Sequence, residues 1–150
     1  MKPIDFNHLK GVLDRELLFF CRDFYTHHRV TIGFTGGRDD ADIVLFNFVM
    51  ARTQAMFPIG KIIQGDARGY DTLGKLWGMQ NRKAVQTLPA RWKTLGNAAG
   101  PVRNDLMIAA LLKEPCPLVI GFPGGSGTAD MLMKTDMNNI PYIAVGDMLD

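Results

Sequence analysis

Five short runs of β-branched and aliphatic residues, each parted from the next by a stretch long enough for a helix, leave this 150-residue chain very few architectures. The runs lie at residues 30–34, 59–63, 84–88, 118–121 and 142–145, and helix-like patterns occupy about 42–56, 69–81, 103–113 and 127–138. A tight turn joins antiparallel neighbours, whereas helix-length crossovers imply strands that pair in parallel under helices on both faces. The expected class is therefore α/β, a doubly wound parallel sheet of about five strands. Ahead of the first run, from Ile4 to about His28, Leu9, Val12, Leu13, Leu17, Phe20 and Phe24 form a helical stripe, so an additional N-terminal helix is expected. With 47% hydrophobic residues and no repeat, linker or low-complexity stretch, residues 1–150 read as one domain, of which 1–28 are the helical extension.

Residues 43–50 are nearly continuous in apolar side chains and fit a buried strand or a helix. The carboxylates of Asp39, Asp40 and Asp42 precede them, and the run exceeds strand length, which favours a helix. Such a helix needs cover on more than one side. Val44, Leu45 and Phe48 face either a second subunit or the N-terminal helix.

Several classes are disfavoured by composition. The formal charge is only +2 and the basic residues are dispersed, so any anion site must be local and no nucleic-acid or anionic membrane partner is demanded. The first residues lack an apolar signal core, and residues 17–20 are too few to span a bilayer. Cys21 and Cys116, the two cysteines, read as buried thiols rather than a disulfide, and a cytoplasmic location is expected.

The chemistry is concentrated just after the strands. Open parallel sheets bind ligands at the carboxyl ends of their strands. There stand Thr35-Gly36-Gly37-Arg38-Asp39, then Gln64-Gly65-Asp66-Ala67-Arg68-Gly69-Tyr70-Asp71, then Pro89-Ala90-Arg91-Trp92 leading to Gly100-Pro101-Val102-Arg103-Asn104, and then Phe122-Pro123-Gly124-Gly125-Ser126-Gly127-Thr128-Ala129-Asp130. Turn chemistry accounts for glycines but not for Arg38, Arg68, Arg91 and Arg103 beside them, whose forked donors match phosphate geometry. The last loop is a strand, a glycine turn and a helix start, which presents unpaired N–H groups at the positive end of a helix dipole. A phosphorylated ligand fits that edge.

Taken in order from about residue 30 to residue 146, these motifs resemble the YspA group, related to YpsA, within the SLOG superfamily. The resemblance implies a Rossmann-like fold that binds nucleotides or nucleotide-derived ligands, in a superfamily that also holds the LOG phosphoribohydrolases, similar to lysine decarboxylases, and the DNA-binding DprA proteins. It implies no defined reaction. The LOG signature is Pro-Gly-Gly-x-Gly-Thr-x-x-Glu, whose loop holds phosphate and whose glutamate, with an upstream arginine, serves cleavage of an N-glycosidic bond. Pro123 to Thr128 match it, but the glutamate position is Met131, which cannot act as acid or base. Asp130 is one residue early, a rotation of roughly 100° on a helix.

Among other candidates, Asp71 at a strand-to-helix turn is either a ribose acceptor or a helix cap. Arg103 and Asn104, read as opening a helix after Gly100-Pro101, are expected to meet phosphate and a base or ribose. Trp92 stacks on a base or covers the crevice floor. The segment 69–75 has P-loop spacing, but Leu76 stands where Ser or Thr is required, and it is rejected. His27 and His28 are adjacent, solvated and without partners at metal-ligand spacing. Ser126 lacks the hydrolase-elbow pattern and reads as a phosphate donor.

The leading expectation is a module that senses or sequesters a phosphorylated nucleotide derivative without metal or cofactor, with Gly36, Gly37, Arg38, Gly65, Asp71, Arg103, Asn104, Gly124, Gly125, Ser126, Gly127 and Thr128 as its binding residues. A nucleotide N-glycosidase, with Asp71, Asp130 and Arg103 as catalytic candidates, is the alternative. Single-stranded DNA binding in the manner of DprA is a third, for which a basic groove with stacking aromatics is required. A homodimer is expected.

Overall fold

In the computed structural model, which describes residues 2–149, the strands β1 (Val30–Thr35), β2 (Ile59–Gln64), β3 (Ala84–Thr87), β4 (Pro117–Gly121) and β5 (Tyr142–Ala144) form one sheet. Its order is β3-β2-β1-β4-β5 and every pairing is parallel. That is the expected doubly wound, Rossmann-like arrangement. The helices are α1 (Phe6–Asp23), α2 (Ile43–Met56), α3 (Tyr70–Gln80), α4 (Trp92–Leu95), α5 (Ala99–Leu112) and α6 (Ser126–Met137).

The period of two along each strand divides the core. Ile32, Phe34, Ile62, Leu118 and Ile120 point to one face, where they join α1 and α2, while Ile63 and Val119 point to the other and meet Met107, Ile108 and Leu111 of α5 and Met131 of α6. The winding explains why α1 is needed. Connections α2 and α3 cover the β1–β2–β3 half of the first face, but after the switch to β4 the crossovers run on the second, so the β4–β5 half of the first face would lie bare. There α1 packs against α2, β5 and the 3-10 turn Val145–Met148. Its Leu9, Leu13 and Leu17 are fully buried and Phe20 nearly so. At about 1.5–3 kcal/mol for each buried side chain, α1 is part of the core rather than an appendage.

Asp5 caps α1, accepting from the N–H groups of Asn7 and His8 at 3.1 and 3.2 Å, and Asp42 caps α2, accepting from Leu45 N–H at 3.0 Å. The ambiguous 43–50 segment is thus helical. Leu45 is buried within the chain and Phe48 packs on Phe6 at 5.0 Å between ring centroids, which assigns their cover to this chain, whereas Val44 is exposed.

Some boundaries differ from expectation. Helix α1 stops at Asp23, not about His28, because the Phe24 and Tyr25 N–H groups both turn back to Phe20 O and His27 adopts a positive φ of 66°. Phe24 is consequently half exposed. Helix α5 begins at Ala99, four residues early, since Pro101 falls in its first turn, where a missing N–H costs no intrahelical bond. Cys116 is buried but Cys21 only partly so, and both are free thiols. No helix among the described residues is long and apolar enough to cross a membrane.

Candidate functional site

The crevice opens where the winding reverses. Strands β1 and β4 are neighbours, yet the chain leaves β1 toward the first face and β4 toward the second, so the loops after them part at the carboxyl edge. Two backbone bonds tie the loops at their base: Phe122 N–H donates to Thr35 O and Gly37 N–H to Pro123 O, each at 2.9 Å. Tyr70 adds a third tie. Its ring stacks on Phe122, with centroids 4.6 Å apart and planes 8° apart, and its hydroxyl accepts from Asp42 N–H at 3.1 Å. Gly36 is required beneath it, because a Cβ there would lie 2.7 Å from the Tyr70 ring.

Above these ties is a cleft of about 520 Å³. Of the sequence-derived candidates it is lined by Gly36, Gly37, Arg38, Asp71, Arg103, Asn104, Gly125, Ser126, Gly127, Thr128 and Asp130. Gly65 instead lines a side cavity of about 250 Å³, which shares Arg38, Ala67, Trp92 and Arg103 with the cleft. Gly124 is not among the lining residues. It lets the loop close, since a Cβ there would collide with Thr128 Oγ1 and approach Gly37 N to 2.8 Å.

The amino terminus of α6 faces this cleft without a cap. Gly125 holds the N-cap position, and no side chain bonds to the first-turn amides. A Cβ built at Gly125 or at Gly127 meets nothing within 4 Å. The early N–H groups of a helix have no intrahelical acceptor, so an anion approaching here meets donors and the positive dipole end together.

The loop after β2 is built differently. Asp71, in the first turn of α3, is buried at 5% exposure, and its Oδ2 accepts from the N–H groups of Gly65 and Ala67 at 3.2 and 3.3 Å. The same oxygen lies 3.9 Å from Arg103 Nη1. Asp71 therefore does not cap α3, whose N-cap is Gly69. Burial pushes the Asp71 carboxyl up to about 6, against the pull of Arg103, of the two N–H groups and of Arg38. Arg103 and Asn104 do not open a helix but stand in the second turn of α5. Arg103 donates from Nη1 to Gly65 O at 2.8 Å and from Nε to Asn104 Oδ1 at 3.1 Å, crossing Gly65 so closely that a Cβ there would displace the guanidinium. Asn104 is buried and donates from Nδ2 to Gly127 O at 3.2 Å and to Asp130 Oδ2 at 2.9 Å.

Asp130 also accepts from Lys134 Nζ at 2.9 Å. Burial raises its carboxyl, but the bonds from Asn104 and Lys134 outweigh this and hold it below the usual range. Arg38 lies over Trp92, its guanidinium carbon 4.6 Å from the ring centroid, and has no acidic partner among the described residues. Arg68 pairs instead with exposed Asp39 at 3.0 Å, and exposed Arg91 lines neither cavity. Trp92 walls both cavities and is 44% exposed, so it is no floor.

Met131 has no exposure and packs in the second-face core, so the position aligned with the LOG glutamate does not reach the cleft. His27 and His28 are exposed in the loop after α1, and no group of three or more His, Cys, Asp or Glu side chains among the described residues could hold a metal ion. Residues 70–80 are helical throughout, which excludes a P-loop that would open a helix at Lys75. Two contributors were not singled out from sequence. Asn97 lines the cleft, signalled only by its place in Gly96-Asn97-Ala98, and Tyr70 organises three loops, signalled by nothing beyond an aromatic ring among glycines. Compared with protein-family models, with curated proteins and with solved structures, the chain matches none of them.

Proposed function

We propose that this chain binds a phosphorylated nucleotide or nucleotide derivative at the carboxyl edge of its sheet, and so senses or sequesters it. The observation that carries this reading is the uncapped amino terminus of α6, opened by Gly125 and Gly127 onto a cleft whose wall holds Arg38 without an acidic partner. Phosphate bonds to the amides of residues 126–128 and to the Ser126 hydroxyl, with Arg38 supplying bidentate charge. The other cleft cation, Arg103, is committed to Gly65 O and to Asp71, and acts chiefly on the shape of the site. The resemblance to the SLOG superfamily points to the same ligand class.

A second reading is favoured by Asp71. A buried carboxyl that loses its proton near 6 while lining the cleft suits general-acid work in N-glycosidic cleavage. Asp130 is a weaker candidate, since Lys134 and Asn104 hold it ionised.

One experiment addresses both. Purified protein is incubated with nucleoside monophosphates, NAD, ADP-ribose and cyclic nucleotides, while melting temperature and released base are followed. A ligand at about 100 times its Kd is expected to raise Tm by about 5–10 °C and to be recovered intact. Release of base that Asp71→Asn abolishes establishes the hydrolase instead. Absence of any shift with every compound at millimolar concentration defeats both.

A further inference from the structure

We infer that Trp92 is a base-stacking platform: the planar ring of a nucleotide takes the position over the indole that the Arg38 guanidinium now holds, while its phosphate lies at the amino terminus of α6. This rests on the phosphate site proposed above and names the other half of the ligand.

Three observations converge on Trp92. The first is exposure without a structural task. Tryptophan is highly buried on average, yet Trp92 is 44% exposed, and the four-residue helix α4 that carries it contributes no buried side chain. The core does not require the ring. The second is placement, because Trp92 lines both the cleft that α6 enters and the side cavity, as Arg38, Ala67 and Arg103 also do. A ligand anchored by phosphate at residues 126–128 and extending across the cleft meets that wall. The third is its present cover. Arg38 lies over the ring at 4.6 Å, and neither an acidic side chain nor a hydrogen-bond acceptor among the described residues holds it there. At an exposed site a cation–π contact is weak. A base offers a larger face to the same ring, and a guanidinium released from it gains a phosphate partner in the same cleft, so one exchange improves both contacts.

Stacking tolerates any base, since each has a π-face, so the platform distinguishes nucleotides from sugar phosphates rather than one base from another. Asn97 and the bonded pair of buried Asn104 and part-buried Asp130 supply the nearby polar edges.

The test is calorimetric titration of the full chain with AMP, ribose 5-phosphate and inorganic phosphate. Wild type is expected to bind AMP about ten-fold more tightly than ribose 5-phosphate, the size of one stacking contact. Trp92→Ala removes that ratio and leaves the affinity for ribose 5-phosphate unchanged; because α4 buries nothing, this variant folds, which circular dichroism checks. In Arg38→Ala both ligands weaken while the ratio persists, because Arg38 yields the ring face instead of sandwiching the base. A ratio that survives Trp92→Ala overturns the platform, and one that collapses in Arg38→Ala overturns the exchange. Failure of all three ligands to bind overturns the phosphate site beneath it, a result distinct from equal binding of AMP and ribose 5-phosphate, which defeats this inference alone.

Discussion

The loops after β2 and β4 share a vocabulary of glycines, an acid and a helix start, yet the molecule uses them oppositely. The first is closed on itself: Asp71 takes the N–H groups of Gly65 and Ala67, and Arg103 takes the Gly65 carbonyl. The second leaves its helix amides uncapped and two of its glycines, Gly125 and Gly127, facing open space. A loop whose polar groups find partners inside the protein is architecture, and one whose donors find none is available to a ligand. Charge at a sheet edge does not separate the two cases; the destination of each backbone group does.

The comparison breaks most forcefully at Gly69. Its φ of 86° and ψ of −132° belong to a region kept for glycine, and a Cβ there would collide with Gly37 O and lie 2.9 Å from Arg38 Cα, both of them backbone neighbours. Backbone strain and overpacking together make Gly69→Ala cost about 4 kcal/mol in urea denaturation. A loss below about 1 kcal/mol contradicts the closed-loop description.

Next in size is the pH dependence of Asp71. In the unfolded chain this carboxyl titrates near 3.8 and in the folded protein near 6, so between those values the native state keeps a proton that the unfolded state has released. The contribution is full below about 4, declines as pH rises and is gone above about 6, a fall of about 2–3 kcal/mol. The Asp14 and Asp130 carboxyls, held below their ordinary range, act in the other direction, and their stabilisation is lost as pH falls below about 4. Asp71→Asn keeps an acceptor oxygen for Gly65 and Ala67 but cannot titrate. Denaturant stability at pH 4, 5, 6 and 7 is expected to show the decline in wild type and not in this variant. Parallel curves place the buried proton elsewhere.

Much of this is legible in the residues alone. Short β-branched and aliphatic runs with helix-length spacing between them specify the five-strand sheet, its parallel sense and the edge where glycine and arginine gather. The α6 loop is legible too, as a glycine turn between an apolar run and a helix start. The assignment of each charge is not. Asp71 looks equally suited to a ribose or to a helix cap, and its actual partners, Gly65 and Ala67, depend on how the chain folds back between β2 and α3. Met131 is buried because its position on α6 turns toward the second-face core, and a one-residue shift on a helix separates that core from the cleft. Pro101 reads as a loop residue because proline ends helices far more visibly than it starts them, although its place in the first turn of α5 is the commoner use.

The finest contrast lies within the open loop. Gly127→Ala puts a methyl group where nothing stands within 4 Å, at a helical position that favours alanine over glycine, so stability is expected to change by no more than about 0.5 kcal/mol. The same methyl stands where an anion must approach the first-turn amides, so the affinity for inorganic phosphate is expected to fall about five-fold to ten-fold, measured by titration against wild type. This dissociation of binding from stability is the converse of Gly69→Ala, in which loss of binding follows loss of structure. If Gly127→Ala binds phosphate as wild type does, the glycine serves the helix rather than a ligand, and the amino terminus of α6 is only the end of a helix.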